Sequence, residues 1–123
     1  LKIKIKGAKS TNDAKKIGKS IANSPLFKTA MSGSDSNWGR IIMAVGKSGV
    51  KLDPDKITLK FGKYIMLQKG KKLNLTNINL INKYLKQSEI EITVDLDLGI
   101  YEWSTWTCDF TKEYVSINAD YRS

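Results

Sequence analysis

The chain has 123 residues, 41% of them hydrophobic and 27% charged, which is enough for one domain with a real core and short for two. A single cysteine, Cys108, and no histidine exclude an intrachain disulfide, the usual zinc sites and any Ser-His-Asp or Cys-His arrangement within the chain. No stretch approaches the ~18 uninterrupted apolar residues of a membrane helix. Leu1 to Gly7 alternates Leu/Ile with Lys, unlike a signal peptide, so the expected setting is the cytoplasm, with no membrane partner and no metal. The first residue is Leu1, and the expectation is a piece of a longer polypeptide.

The net charge of +9 is unevenly spread: residues 1–75 carry 17 Lys/Arg against 4 Asp/Glu, and residues 76–123 carry 4 against 8. A lysine-rich nucleic-acid-binding domain is therefore one reading. Against it, only Arg40 and Arg122 are arginines, and base readout favours the guanidinium fork. The lysines fall on the polar positions of strands and helices, where a solvated face explains them. No nucleic-acid partner is expected.

In chain order, Leu1, Ile3 and Ile5 alternate with lysines in the period of a half-buried strand that Gly7 ends. Ser10 or Thr11 caps a helix with Ala14, Ile17, Ile21 and Ala22 on one stripe. Ser24-Pro25 starts a second, short helix carrying Leu26 and Phe27, with serine as cap and proline in the first turn. Asn37 is placed to cap a third, with Trp38, Ile41, Ile42 and Val45 on its apolar side. Two short strands, 57–61 and 64–67, flank Gly62-Lys63, and Lys69-Gly70 offers another turn. Leu75 to Leu85 returns to helical spacing. Ile90 to Leu98 alternates most cleanly of all, and a Leu98-Gly99 turn leads to a partner strand over 100–108. Thr111 caps a last helix, with Phe110 stapled on Val115. The fold class is α+β, a mixed sheet with helices packed on it.

Two segments carry more than periodicity. The run Ser24 to Gly46, SPLFKTAMSGSDSNWGRIIMAVG, and the end Trp106 to Ser123, WTCDFTKEYVSINADYRS, resemble in order and spacing the signatures of the ornithine acetyltransferases (the ArgJ family). The resemblance covers essentially the whole chain, with a variable middle from about Val50 to Lys86. It implies the C-terminal part of the β chain of an ArgJ/DmpA-like, Ntn-like enzyme: residues 1–24 would belong to the preceding core region and 25–123 to a C-terminal α+β domain.

The resemblance further implies an enzyme of arginine biosynthesis that moves acetyl from N-acetylornithine to glutamate. Its precursor cleaves itself before a threonine, which becomes the nucleophile and is acetylated in turn. A nucleophile whose own α-amine serves as base needs no histidine. Leu1 is not that threonine, so no catalytic residue is expected within these 123 residues, and the chain alone should be inert. The implied partners are the α chain of the same precursor, the rest of the β chain, the two amino-acid substrates, and further copies in a higher oligomer. No cofactor is implied, although acetyl-CoA could act as an alternative acetyl donor. A paralogue acetylating another amino acid in specialised metabolism is the nearer rival. Ser36, Phe110 and Ser123 depart mildly from the family's usual proline, leucine and threonine.

Asn118 and Ser123 match the family's C-terminal substrate-binding pair; an amide with a hydroxyl or terminal carboxylate suits the head of an amino acid. Without the resemblance they would read as a helix end and a tail. Asp35, Asn37, Trp38 and Arg40 form a motif placed near the site, read mainly as structural: Asn37 as cap, Trp38 as core anchor, Asp35 and Arg40 as a paired brace. Cys108 reads as a small buried hydrophobe, and Trp103 and Trp106 as core or interface.

Overall fold

A computed structural model describes residues 1–33, 38–73 and 78–107. Its elements are β1 (Lys2–Ala8), α1 (Thr11–Ala22), α2 (Pro25–Ser32), α3 (Gly39–Gly46), a 3-10 turn (Pro54–Lys56), β2 (Thr58–Phe61), β3 (Tyr64–Gln68), β4 (Lys71–Lys72), α4 (Ile78–Leu85), β5 (Glu91–Asp95) and β6 (Tyr101–Trp106). The six strands form one sheet in the order β4-β3-β2-β5-β1-β6. Only β1 and β5 run parallel; every other neighbouring pair is antiparallel. The α+β, mixed-sheet reading is what the chain adopts.

Period-two alternation fixes which face is covered. Ile3 and Ile5 of β1, Ile92 and Val94 of β5, and Leu59 and Phe61 of β2 are fully buried and lie side by side in register. α1 packs on β1 and β6 through Ala14, Ile17, Ile21 and Ala22, the stripe read from the sequence, together with Gly18, and α3 packs against α1. Ser10 caps α1 by accepting from Asp13 N at 3.0 Å. One hydrophobic cluster runs through all of this, from Ile3 to Leu96. β1 and α1, assigned from the sequence to a preceding region, thus share their sheet and core with the elements after residue 25.

The strand after Leu98-Gly99 does not pair back onto β5 as the sequence suggested. β1 lies between them, and β6 runs antiparallel to β1. The connection crosses the end of β1, where the Gly7 carbonyl accepts from both Leu98 N and Gly99 N at 2.8 Å. Gly7 is at φ +68, and a Cβ there would lie 2.5 Å from Asp95 Oδ1 and 2.7 Å from Asp97 N, so the crossing needs glycine. A turn signal shows that the chain reverses; it cannot show that a third strand occupies the gap.

Two further boundaries differ from expectation. The fourth helix begins at Ile78 where helical spacing suggested Leu75, and residues 75–77 are outside the described set. The residue flanking α3 is Trp38, which makes no side-chain capping bond; Asn37, the expected cap, is not among the described residues. The expected last helix after Thr111 is also outside them.

Candidate functional site

The Ser24-to-Gly46 motif folds into the corner made by α2 and α3 against the end of α1. Ser24 stops α1's continuation and starts α2: its Oγ accepts from Phe27 N at 3.2 Å, and Pro25 in the first turn surrenders no needed N–H. Phe27, Ala30 and Met31 face the core. Arg40 at the start of α3 reaches back, its Nη1 donating to the Leu26 carbonyl at 3.0 Å, so the two helix starts are tied together. Ser20 Oγ donates to Ala44 O at 2.5 Å and ties α1 to the last turn of α3.

These ties leave a cavity of about 220 Å³ where the three helices meet, lined by Asn23, Leu26, Arg40, Met43 and Lys47 among others. Leu26 and Met43 are about half exposed on its rim. Ser20, Asn23 and Lys47 were not singled out from the sequence. Each is an ordinary helix-surface residue, and only the helix packing brings them together.

Of the expected motif residues, Trp38 and Arg40 are brought together at the start of α3. Trp38 is half-buried, covering the rim of the core and not anchoring its centre, because it precedes the helix where the chain is still at the surface. The expected Asp35–Arg40 brace rests on a residue outside the described set, and Arg40 is seen bonded to a backbone carbonyl. Asn118 and Ser123, the expected substrate pair, and Cys108 also lie outside the described residues. The start of their segment is fixed all the same. Thr107 N donates to Leu1 O at 2.9 Å, and Thr107 Oγ1 donates to Ala22 O at 3.3 Å, which places the C-terminal motif's point of departure beside the end of α1.

The lysine-bearing face of the sheet brings residues of the basic first half beside residues of the acidic second half. The lysines of β1 lie in register with acidic and hydroxyl residues of β5: Lys2 beside Glu91, Lys4 beside Thr93, Lys6 beside Asp95. Charges segregated along the sequence are interleaved in space. Lys2 also stands 5.7 Å from the Trp106 ring centroid, and a groove of about 190 Å³ opens there between Tyr84, Glu89, Glu91 and Trp106. Tyr84 closes one wall, its hydroxyl accepting from Glu91 N at 2.9 Å.

Displaced ionisation is found at one pair among the described residues, Lys69 and Asp97, 2.8 Å apart on the surface. Each is a non-glycine residue at positive φ, in loops at the same end of the sheet. The Lys69 hydrogen bond and charge hold the Asp97 carboxyl below its ordinary value, and Asp97 raises Lys69 in return. The pair is exposed and far from the α2–α3 corner in sequence; it braces loops.

The two sequence motifs of this α+β chain thus start side by side at the end of one helix. The sequence model of the ArgJ family matches residues 1–123, and the chain belongs to that family. It is 46% identical over all its 123 residues to the arginine biosynthesis bifunctional protein ArgJ of Brucella melitensis biotype 1, and 43% identical to that of Caulobacter vibrioides. It spans 30% of the length of each. The crystal structure of the ArgJ protein from Bacillus halodurans superposes with a TM-score of 0.91 at 35% identity, over 98% of this chain and 56% of that one.

Proposed function

We propose that these 123 residues are the C-terminal part of an enzyme of arginine biosynthesis that transfers acetyl from N-acetyl-L-ornithine to L-glutamate. The observation that carries this is the family match over every residue, at 46% identity to relatives named for arginine biosynthesis. In this reading the nucleophile is a threonine outside the chain. Its hydroxyl adds to the acetyl carbonyl, the C–N bond breaks, and ornithine leaves with a proton from the threonine's α-ammonium. The glutamate amine then attacks the ester and regenerates the hydroxyl. Oxyanion donors for both tetrahedral intermediates also come from outside this chain.

The chain's own contribution is a scaffold and two contacts. α1, α2 and α3 form the platform, Thr107 starts the C-terminal segment beside it, and Asn118 and Ser123 hydrogen-bond the amino-acid part of ornithine or glutamate. The partners are the α chain of the same precursor, the rest of the β chain, and further copies in a higher oligomer. Acetyl-CoA is a possible second donor and no other cofactor takes part. Among the described residues no helix is long and apolar enough to cross a membrane, and the proposed location is the cytoplasm.

The test is ornithine release from N-acetylornithine and glutamate. The full-length polypeptide containing this chain should turn over with ping-pong kinetics, and the 123 residues alone should release nothing. Turnover by the chain alone, or an inactive full-length protein, overturns the reading.

A further inference from the structure

The two edges of the sheet are built differently. At one edge stands β4, two residues long and both of them lysine, the kind of short, charged edge that resists pairing with another strand. At the other stands β6, six residues of Tyr-Glu-Trp-Ser-Thr-Trp with a single charge and no proline. Among the described residues no strand pairs with its outer side. Around it the apolar side chains are open: Ile100 is 88% exposed, Trp106 71% and Tyr101 47%. Such a strand is a template for one more strand.

The occupant has to satisfy two conditions. It must supply a strand, and its flanks must tolerate the lysines of α1. α1 lies over β1 and β6, with Trp103 against Gly18, and the flank of α1 beyond that contact carries the exposed Lys15 and Lys19. A second copy paired through β6 would bring its own α1 to about 10 Å, since strands pair at about 4.8 Å and each helix, lying over both β1 and β6, sits about half a strand back. Lys15 and Lys19 would then face Lys15 and Lys19, in a chain already at +9. The remainder of the protein has no such restriction, and there is much of it: the chain spans 30% of its ArgJ relatives and 56% of the solved chain it superposes on.

We propose that the outer edge of β6 takes a β-strand from the part of the enzyme outside these 123 residues, flanked by acidic side chains that meet Lys15 and Lys19. This rests on the reading of the chain as a piece of a larger acyltransferase and names the surface by which the piece joins the rest.

The experiment expresses these 123 residues and the remaining segment of the same full-length enzyme as separate chains and mixes them. Amide hydrogen exchange across residues 101–106 should slow about tenfold or more on mixing. Ile100→Lys and Trp106→Lys should each weaken the complex about tenfold, the loss of one interface anchor. Leu80→Lys, an equal charge change at a half-exposed position on α4, should leave it within about twofold. Unchanged exchange at β6, or three variants that behave alike, overturns the proposal. So does protection of β6 in the isolated chain with concentration-dependent dimerisation, which assigns the edge to a second copy. Ornithine release by the mixture is read separately: an active complex with an unprotected β6 sinks this inference alone, and a protected β6 in an inactive complex sinks the functional reading alone.

Discussion

Replacing Gly18 by alanine sets two ordinary effects against each other. Gly18 is in the interior of α1, where alanine is favoured over glycine by about 1 kcal/mol on helix propensity alone. An ideal Cβ there, however, would stand 2.5 Å from Trp103 Cζ3 and 2.6 Å from Cε3. Ordinary carbon contacts are ~3.5–4.0 Å, so the indole would have to retreat by about 1 Å. Trp103 is half-buried on the core face of β6, opposite Ile5, so its retreat disturbs the packing of the edge strand on the helix. Overpacking of this kind costs about 1–3 kcal/mol, which outweighs the propensity gain. The expected net loss is about 1 kcal/mol, or a fall in Tm of about 4 °C for a domain of this size. Urea and thermal unfolding followed by circular dichroism measure it. In a Trp103→Leu background the clash is absent, and Gly18→Ala should instead stabilise by up to about 1 kcal/mol. A wild-type-background variant as stable as the parent, or more so, would refute the argument that the helix–strand contact decides the sign.

Ser24→Ala removes the α2 cap and should cost about 1 kcal/mol in the same unfolding assay, with Ser24→Gly costing less. Thr107→Val keeps the shape but loses the bond to Ala22 O; it should change stability by less than about 1 kcal/mol and lower kcat/KM of the full-length enzyme. For the Lys69–Asp97 pair the signs are opposite at the two ends of the pH scale. Asp97 is depressed, so its contribution is present above the ordinary carboxylate value and is lost as pH falls through the folded one; Lys69 is raised, so its contribution is present below its ordinary value and lost as pH rises through the folded one. An NMR titration of the Asp97 carboxyl should give a midpoint below 3.8 that moves back toward it in Lys69→Met and in high salt.

The local structure was legible because its signals are local. Ser10 and Ser24 cap the helices that their positions suggested, and the alternation in β1 and β5 put Ile3, Ile5, Ile92 and Val94 on the buried face, while Ala8, past the register shift at Gly7, was not read. Pairing was less legible. β5 and β6 are consecutive and joined by a turn, yet β1, ninety residues upstream, runs between them, a choice set by the burial of Ile3 and Ile5 among all three strands and the α1 helix. Trp38 shows another limit: aromatic identity suggested the core centre, whereas its place just before a helix start keeps it at the rim. For the site, the sequence motifs identified the family outright, and the family match bears that out. What no motif could show is the cavity at the α1–α2–α3 junction, since Asn23 and Lys47 acquire a common surroundings only through helix packing.

The placement of Thr107 connects these levels. Its backbone N–H bonds to the first residue of the chain and its hydroxyl to the last helical residue of α1, eighty-five positions away. The next residue of α1's end, Asn23, lines the cavity beside the Ser24 cap that starts the first family motif. The second family motif begins at Trp106-Thr107. Two motifs separated by the whole variable middle of the sequence therefore meet at one helix terminus, and the sheet is what brings them there: β1 fixes where the chain starts, β6 returns antiparallel beside it, and the two arrive at the end of α1 together. Among the described residues of the middle, β2, β3 and β4 lie on the far side of β5 from β1, and Tyr84 of α4 reaches the groove at Trp106 where the second motif begins.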